Sequence, residues 1–114
     1  MIAEIRAYKG MQYLYADYRG ARTNEEMFAI LDKGVKLLKE NPDITRIFGN
    51  FKDSYMSSEF TQRIKNMGKT EGYKTALIGI SGLKRFFINV IQAVAKYETC
   101  LFNDEAEALE WLVT

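Results

Sequence analysis

Three serines, an aspartate and a lysine crowd the stretch NFKDSYMSS at 50–58, directly after the apolar run ITRIF. Hydroxyls at such a strand-to-helix passage serve in one of two ways. They cap a helix, accepting from its free first-turn amides, or they take a phosphate, whose charge the amides and the helix dipole then favour. Asp53, Ser54, Ser57 and Ser58 are the residues in question, and the cap is the commoner use for Ser57 or Ser58. A second candidate is Gly79-Ile80-Ser81-Gly82 followed by Lys84 and Arg85, a strand-to-helix turn whose amides and cations could hold an anion. It is neither a Gly-x-Gly-x-x-Gly nor a Walker loop, and a tight turn with Ser81 as cap is the plainer reading. Gly-Ile-Ser-Gly also approaches the nucleophile elbow, but Leu83 stands where the last glycine belongs.

Histidine is absent from all 114 residues. Ser-His and Cys-His nucleophile pairs therefore cannot be assembled, and the commonest zinc ligand is missing. No carboxylate-rich calcium loop replaces it. We expect no enzyme, no cofactor and no metal. The single cysteine, Cys100, lies in a short apolar run and reads as a small buried hydrophobe. It allows no internal disulfide, which suits a reducing, cytoplasmic setting. The opening MIAEIRAYKG lacks a signal pattern, since Glu4 and Arg6 interrupt it. No run approaches the roughly 18 apolar residues of a membrane span, so an integral membrane protein is not expected.

The elements that must position these residues are legible from periodicity. One domain spanning 1–114 is expected from the length. Residues 2–8 and 11–18 flank Lys9-Gly10 as a hairpin. Tyr13, Tyr15 and Asp17 give the second strand one more polar face. Thr23-Asn24-Glu25-Glu26 is a capping box, opening an amphipathic helix to about Glu40 that Asn41-Pro42-Asp43 ends. Gly34 falls within its apolar face, where a missing side chain lets the helix approach a sheet. A strand at 44–51, a helix with a narrow apolar stripe at 57–68, and a doubly buried strand at 74–80 follow. Then come a helix over 82–97, a short strand at 100–102 and a last helix capped by Asn103 or Asp104, with Trp111 at the border of its apolar arc. The order β-β-α-β-α-β-α-β-α implies an α/β fold, a mixed sheet mostly parallel with an N-terminal antiparallel hairpin.

Net charge is only +1, but residues 63–96 carry seven basic groups and one acidic, and 97–114 carry five acidic and none basic. Either this is a steering face, or the two segments pack side by side and balance; we expect the second. Nucleic acid is not an expected partner, because the basic groups are not interleaved with aromatics on one face.

Three strings, YADYRGARTNEE at 15–26, KTALIGISGLKRFF at 74–87 and FNDEAEALEWL at 102–112, resemble the STAS domain (sulfate transporter and anti-sigma factor antagonist). The resemblance is to small stand-alone proteins of the anti-sigma factor antagonist-like superfamily, also labelled STAS/SEC14-like. It runs over nearly the whole chain, closing on Ala108, Trp111 and Leu112. It implies a mixed sheet with helices mainly on one side, and a non-catalytic regulatory or protein-interaction role. In the best understood members a serine at the start of the second helix is phosphorylated by the partner kinase, which breaks the complex. Their Asp-Ser-Ser/Thr-Gly string is matched here by Asp53 and Ser54 but not beyond, since Tyr55 and Met56 follow. The expected partner is thus another protein. The alternative is a small apolar-ligand or lipid-binding carrier of SEC14-like type, with the wide apolar arc of residues 83–95 as a pocket wall; the same arc would suit a homodimer contact.

Overall fold

The structure, a computed structural model, describes residues 2–66, 72–82 and 98–114. Five strands lie in the order of the chain: β1 (Ile2–Tyr8), β2 (Met11–Asp17), β3 (Arg46–Asn50), β4 (Lys74–Ile78) and β5 (Glu98–Phe102). The described helices are α1 (Asn24–Glu40), α2 (Ser58–Asn66) and α3 (Glu105–Leu112). β1 and β2 are antiparallel, joined at Lys9-Gly10 with φ of +50° and +80°, the positive pair that a two-residue I′ hairpin requires. The remaining pairings are parallel. The expected mixed sheet is therefore present. The helix expected over 82–97 and the apolar arc of 83–95 lie outside the described residues.

Each face of the sheet carries its own core. On one face Ala3, Ala16 and Leu77 meet Met27 and Ile30 of α1 and Phe60 of α2. On the other, Tyr13, Tyr15, Phe48, Ala76 and Ile78 meet Ala108 and Leu112 of α3. This changes the reading of β2. Its tyrosine face was expected to be the more polar, yet residues 13–17 are all buried, because α3 covers that side. Phe48 stacks on Tyr15 at 5.6 Å and meets Tyr13 edge-on at 6.4 Å. Arg6 lies 3.6 Å above the outer face of the Tyr15 ring, so a cation closes the stack.

Local chemistry accounts for the helix limits. The Thr23 hydroxyl accepts from the Glu26 amide at 3.2 Å, and the Glu26 carboxylate reaches back to the Arg22 amide at 2.9 Å. Gly34 sits where a Cβ would lie 3.1 Å from Leu14 Cδ2, the close approach expected of it. Asp104 caps α3 through the Ala106 amide. At the other end of α3 the Arg46 guanidinium donates to the Leu112 carbonyl at 2.9 Å, satisfying one of the free C-terminal carbonyls of the helix. Trp111 packs at the core edge as expected, 5.5 Å from Phe102, with Lys74 Nζ 4.4 Å above its ring.

Strand boundaries moved where geometry outranks composition. β4 stops at Ile78 because Gly79 turns to φ +80°. β5 runs longer than expected, from Glu98, and its Cys100 is half-buried rather than fully buried. Among the described residues, Arg63 pairs with Asp32 of α1 and Lys74 with Thr114, while Glu110 of the acidic tail pairs with Lys9 of the hairpin. The two oppositely charged segments do lie side by side where they are described, with Lys74 of β4 opposite Glu98 of β5, while Lys69, Lys84, Arg85 and Lys96 lie outside the described residues.

Candidate functional site

The C-terminal ends of β2, β3 and β4 lie side by side, as Asp17↔Asn50 and Asn50↔Ile78 are registered neighbours. Open α/β sheets place their working loops at this edge. Here it gathers residues 18–23, 51–57 and 79–82. Parallel strands with crossover helices bring helix N-termini to the same edge. Each described helix carries its own carboxylates in the first turn: Glu25 and Glu26, Glu59, Glu105 and Glu107. Much of the positive end of each dipole is thereby already met.

The 51–57 loop has a fixed shape. The Phe51 amide donates to the Ile78 carbonyl at 2.9 Å, extending the β3–β4 ladder by one residue. Asp53 turns back with φ +49°. Its carbonyl accepts from the Gly20 amide at 3.0 Å and from the Arg22 guanidinium at 2.6 Å, while its carboxylate pairs with Arg22 at 2.8 Å. The Tyr55 amide then donates to the Ala21 carbonyl at 2.9 Å. Beneath, Tyr18 stacks on Phe51 at 4.4 Å, and both meet Phe60 edge-on. Burial pushes the Tyr18 phenol well above its ordinary pKa, so it stays protonated at any physiological pH.

The three serines separate by role. Ser54 is half-buried and donates to the Phe51 carbonyl at 2.7 Å. Ser57 is the cap of α2: its hydroxyl accepts from the Phe60 amide at 3.1 Å and donates to Asn24 Oδ1 at 2.5 Å, and the residue is buried. That bond ties the beginning of α2 to the beginning of α1. Ser58 begins α2 and is exposed, its hydroxyl 3.4 Å from the Glu59 carboxylate. The amide of Glu59 itself, followed by the Ser57 hydroxyl, holds that carboxyl below the ordinary value.

Sequence reasoning missed Tyr55. It sits between the matched pair Asp53-Ser54 and the cap Ser57, and it is 44% exposed, an aromatic ring standing in solvent on an anchored loop. An aromatic inside an otherwise polar turn was the signal available. Asp17 is the other residue whose role the structure sharpens. Its buried carboxylate receives the Arg19 amide at 3.0 Å and the Arg19 guanidinium through both oxygens, at 2.9 and 2.8 Å. Burial alone would raise this carboxyl, but the Arg19 side chain and amide hold it below the ordinary range. Asp17 thus shapes the 18–23 loop.

The second candidate meets the first. Gly79 lies against the Lys52 backbone, so the 79–82 turn rests on the 51–54 turn. Ser81 and Gly82 are exposed, Gly82 with φ +57°. Lys84 and Arg85, the cations of the expected anion site, lie outside the described residues. Among the described residues no cluster of three His, Cys, Asp or Glu could hold a metal, and no helix is long and apolar enough to cross a membrane. Between α1 and the sheet lies an apolar pocket of about 90 Å³ lined by Leu14, Ala16, Leu31 and Gly34 among others.

Against known proteins, no family model and no curated protein matches the chain. A solved structure does: an uncharacterised protein of the DUF3478 family from Shewanella loihica PV-4, described as having a SpoIIAA-like fold. It aligns with a TM-score of 0.71 at 20% identity, over 96% of this chain and 91% of that one. The fold of this chain is accordingly SpoIIAA-like.

Proposed function

We propose that this chain is a non-catalytic protein-interaction domain and that its docking surface is the sheet edge formed by residues 18–23, 51–58 and 79–82. The SpoIIAA-like fold suggests the class. The observation that carries the surface is the anchored 51–57 loop with Tyr55 projecting from it. Two backbone bonds and the Arg22–Asp53 contacts fix the loop before any partner arrives, so little ordering entropy is lost on docking. An exposed aromatic on a rigid support is the residue type that dominates binding energy in interfaces. Asp53 and Arg22 form a polar rim beside it.

A phospho-switch, if this surface carries one, falls to Ser58. Its hydroxyl is exposed, and a phosphate there would place nearly two negative charges at the start of α2, three residues after Tyr55. Ser57 is spent on its cap and on Asn24, and Ser54 on the Phe51 carbonyl. The carrier reading gains no support from the pocket under α1, since ligand pockets are usually about 300 Å³ or larger.

The test is quantitative affinity capture from the source cells with wild type, Tyr55→Ala, Ser58→Asp and, on the opposite side of α1, Lys36→Ala. The reading expects a protein retained by wild type and Lys36→Ala and lost with Tyr55→Ala; the switch version expects its loss with Ser58→Asp as well. Capture indifferent to Tyr55→Ala, or turnover of any substrate by the purified chain, would overturn it.

A further inference from the structure

Among the described residues β1 is an edge strand, with no strand beyond it. All seven residues pair with β2 in unbroken register, from Ile2↔Asp17 to Tyr8↔Met11, with no bulge. It contains no proline and no lysine, the usual guards of a free edge. Its two charges, Glu4 and Arg6, neutralise each other at 2.9 Å, and Ile2 is 42% exposed.

The hairpin turn dictates which backbone groups face outward. A two-residue I′ turn makes Tyr8 and Met11 a hydrogen-bonded pair. Alternation along an antiparallel ladder then turns the amides and carbonyls of Arg6, Glu4 and Ile2 toward β2 as well. Those of Ala3, Ile5 and Ala7 point away from the sheet. A second strand can bond to β1 only through these three residues.

We infer that the strand which completes this edge is β1 of a second copy, paired antiparallel about a twofold axis through Ile5. Three registers set two or more of Ala3, Ile5 and Ala7 opposite one another, and of these only the one centred on Ile5 engages all three. Centring the axis on Glu4 sets Glu4 against Glu4, and centring it on Arg6 sets Arg6 against Arg6; like charges directly opposed are unfavourable. Centring on Ile5 sets Glu4 against Arg6 twice. It also pairs Ala3 with Ala7, Ile5 with itself and Ile2 with Tyr8, so the same symmetry matches small to small and apolar to apolar. Charge complementarity thus selects both the partner and the register. The result is a continuous ten-stranded sheet with the 51–58 edge of each copy left clear. This surface is separate from the docking edge proposed above and stands or falls without it.

Sedimentation equilibrium of the full 114-residue chain, from micromolar to near-millimolar concentration, tests this. Wild type should sediment at twice the 13.2 kDa protomer mass at the upper end. Arg6→Glu should weaken the dimer about tenfold or more, since both cross-strand pairs become repulsive. The double exchange Glu4→Arg with Arg6→Glu should restore it. Circular dichroism and urea denaturation of each variant separate loss of the dimer from loss of the fold. Ile5→Pro, which removes an outward amide and spares the β1–β2 ladder, should be monomeric. A wild type that stays monomeric throughout, a dimer untouched by Arg6→Glu, or a folded double exchange that stays monomeric would each overturn the inference.

Discussion

Gly79 and Lys52 are in backbone contact: a Cβ on Gly79 would lie 2.3 Å from the Lys52 amide nitrogen and 2.7 Å from its Cα. The turn after β4 therefore rests directly on the turn after β3, and the docking edge is one surface rather than two loops.

Gly79→Ala should accordingly be costly. The new methyl meets backbone, which cannot swing aside, and the position needs φ +80°, which alanine adopts poorly. A loss of about 2 kcal/mol or more is expected in urea denaturation. Gly34→Ala is the contrasting case. Its Cβ would meet only the tip of Leu14 at 3.1 Å, while helix propensity gains about 1 kcal/mol, so the net change should be near zero.

Ser57 and Ser58 should differ in the opposite sense from their nearness in sequence. Ser57→Ala removes the cap of α2 and the partner of Asn24, and should cost about 1 kcal/mol. Ser58→Ala should stay within about 0.5 kcal/mol, as exposed substitutions do. A cycle with Asn24→Ala would isolate the Ser57–Asn24 coupling.

Asp17→Asn should lower stability by about 2 kcal/mol at neutral pH, because it replaces a buried charged acceptor of Arg19. The folded-state pKa of Asp17 lies below its ordinary value. Its contribution is therefore complete above the unfolded value of about 4 and is lost as pH falls through the folded value. Denaturation curves of variant and wild type should differ at pH 7 and converge at strongly acidic pH.

Phe60→Ala should cost about 3 kcal/mol or more, since Phe60 is wholly buried and touches both Tyr18 and Phe51. Hydrogen exchange in such a variant should accelerate first in α2 and the 51–57 loop, ahead of β2 and β3.

Much of this was readable one element at a time. The capping box at Thr23 and Glu26, the Lys9-Gly10 turn and the apolar run of β4 each declare themselves within a few residues, because caps, turns and periodicity are local physics. What was not readable depended on distant partners. The polar look of Tyr13 and Tyr15 suggested solvent, and only α3, some ninety residues on, turns them into core. Ser57 and Ser58 are equivalent as text; Asn24 distinguishes them. The edge position of β1 likewise follows from sheet order, which no window of sequence contains.

By itself, then, the chain's chemistry determined the order of the described elements, the mixed α/β class and, through the missing histidine, the removal of His-based nucleophile pairs. Tertiary structure alone decided that the turns after β2, β3 and β4 share one surface and that Tyr55 stands out from it. Local propensities act over a helical turn or a strand, whereas contacts such as Tyr55 to Ala21 or Gly79 to Lys52 exist only once the whole sheet has assembled.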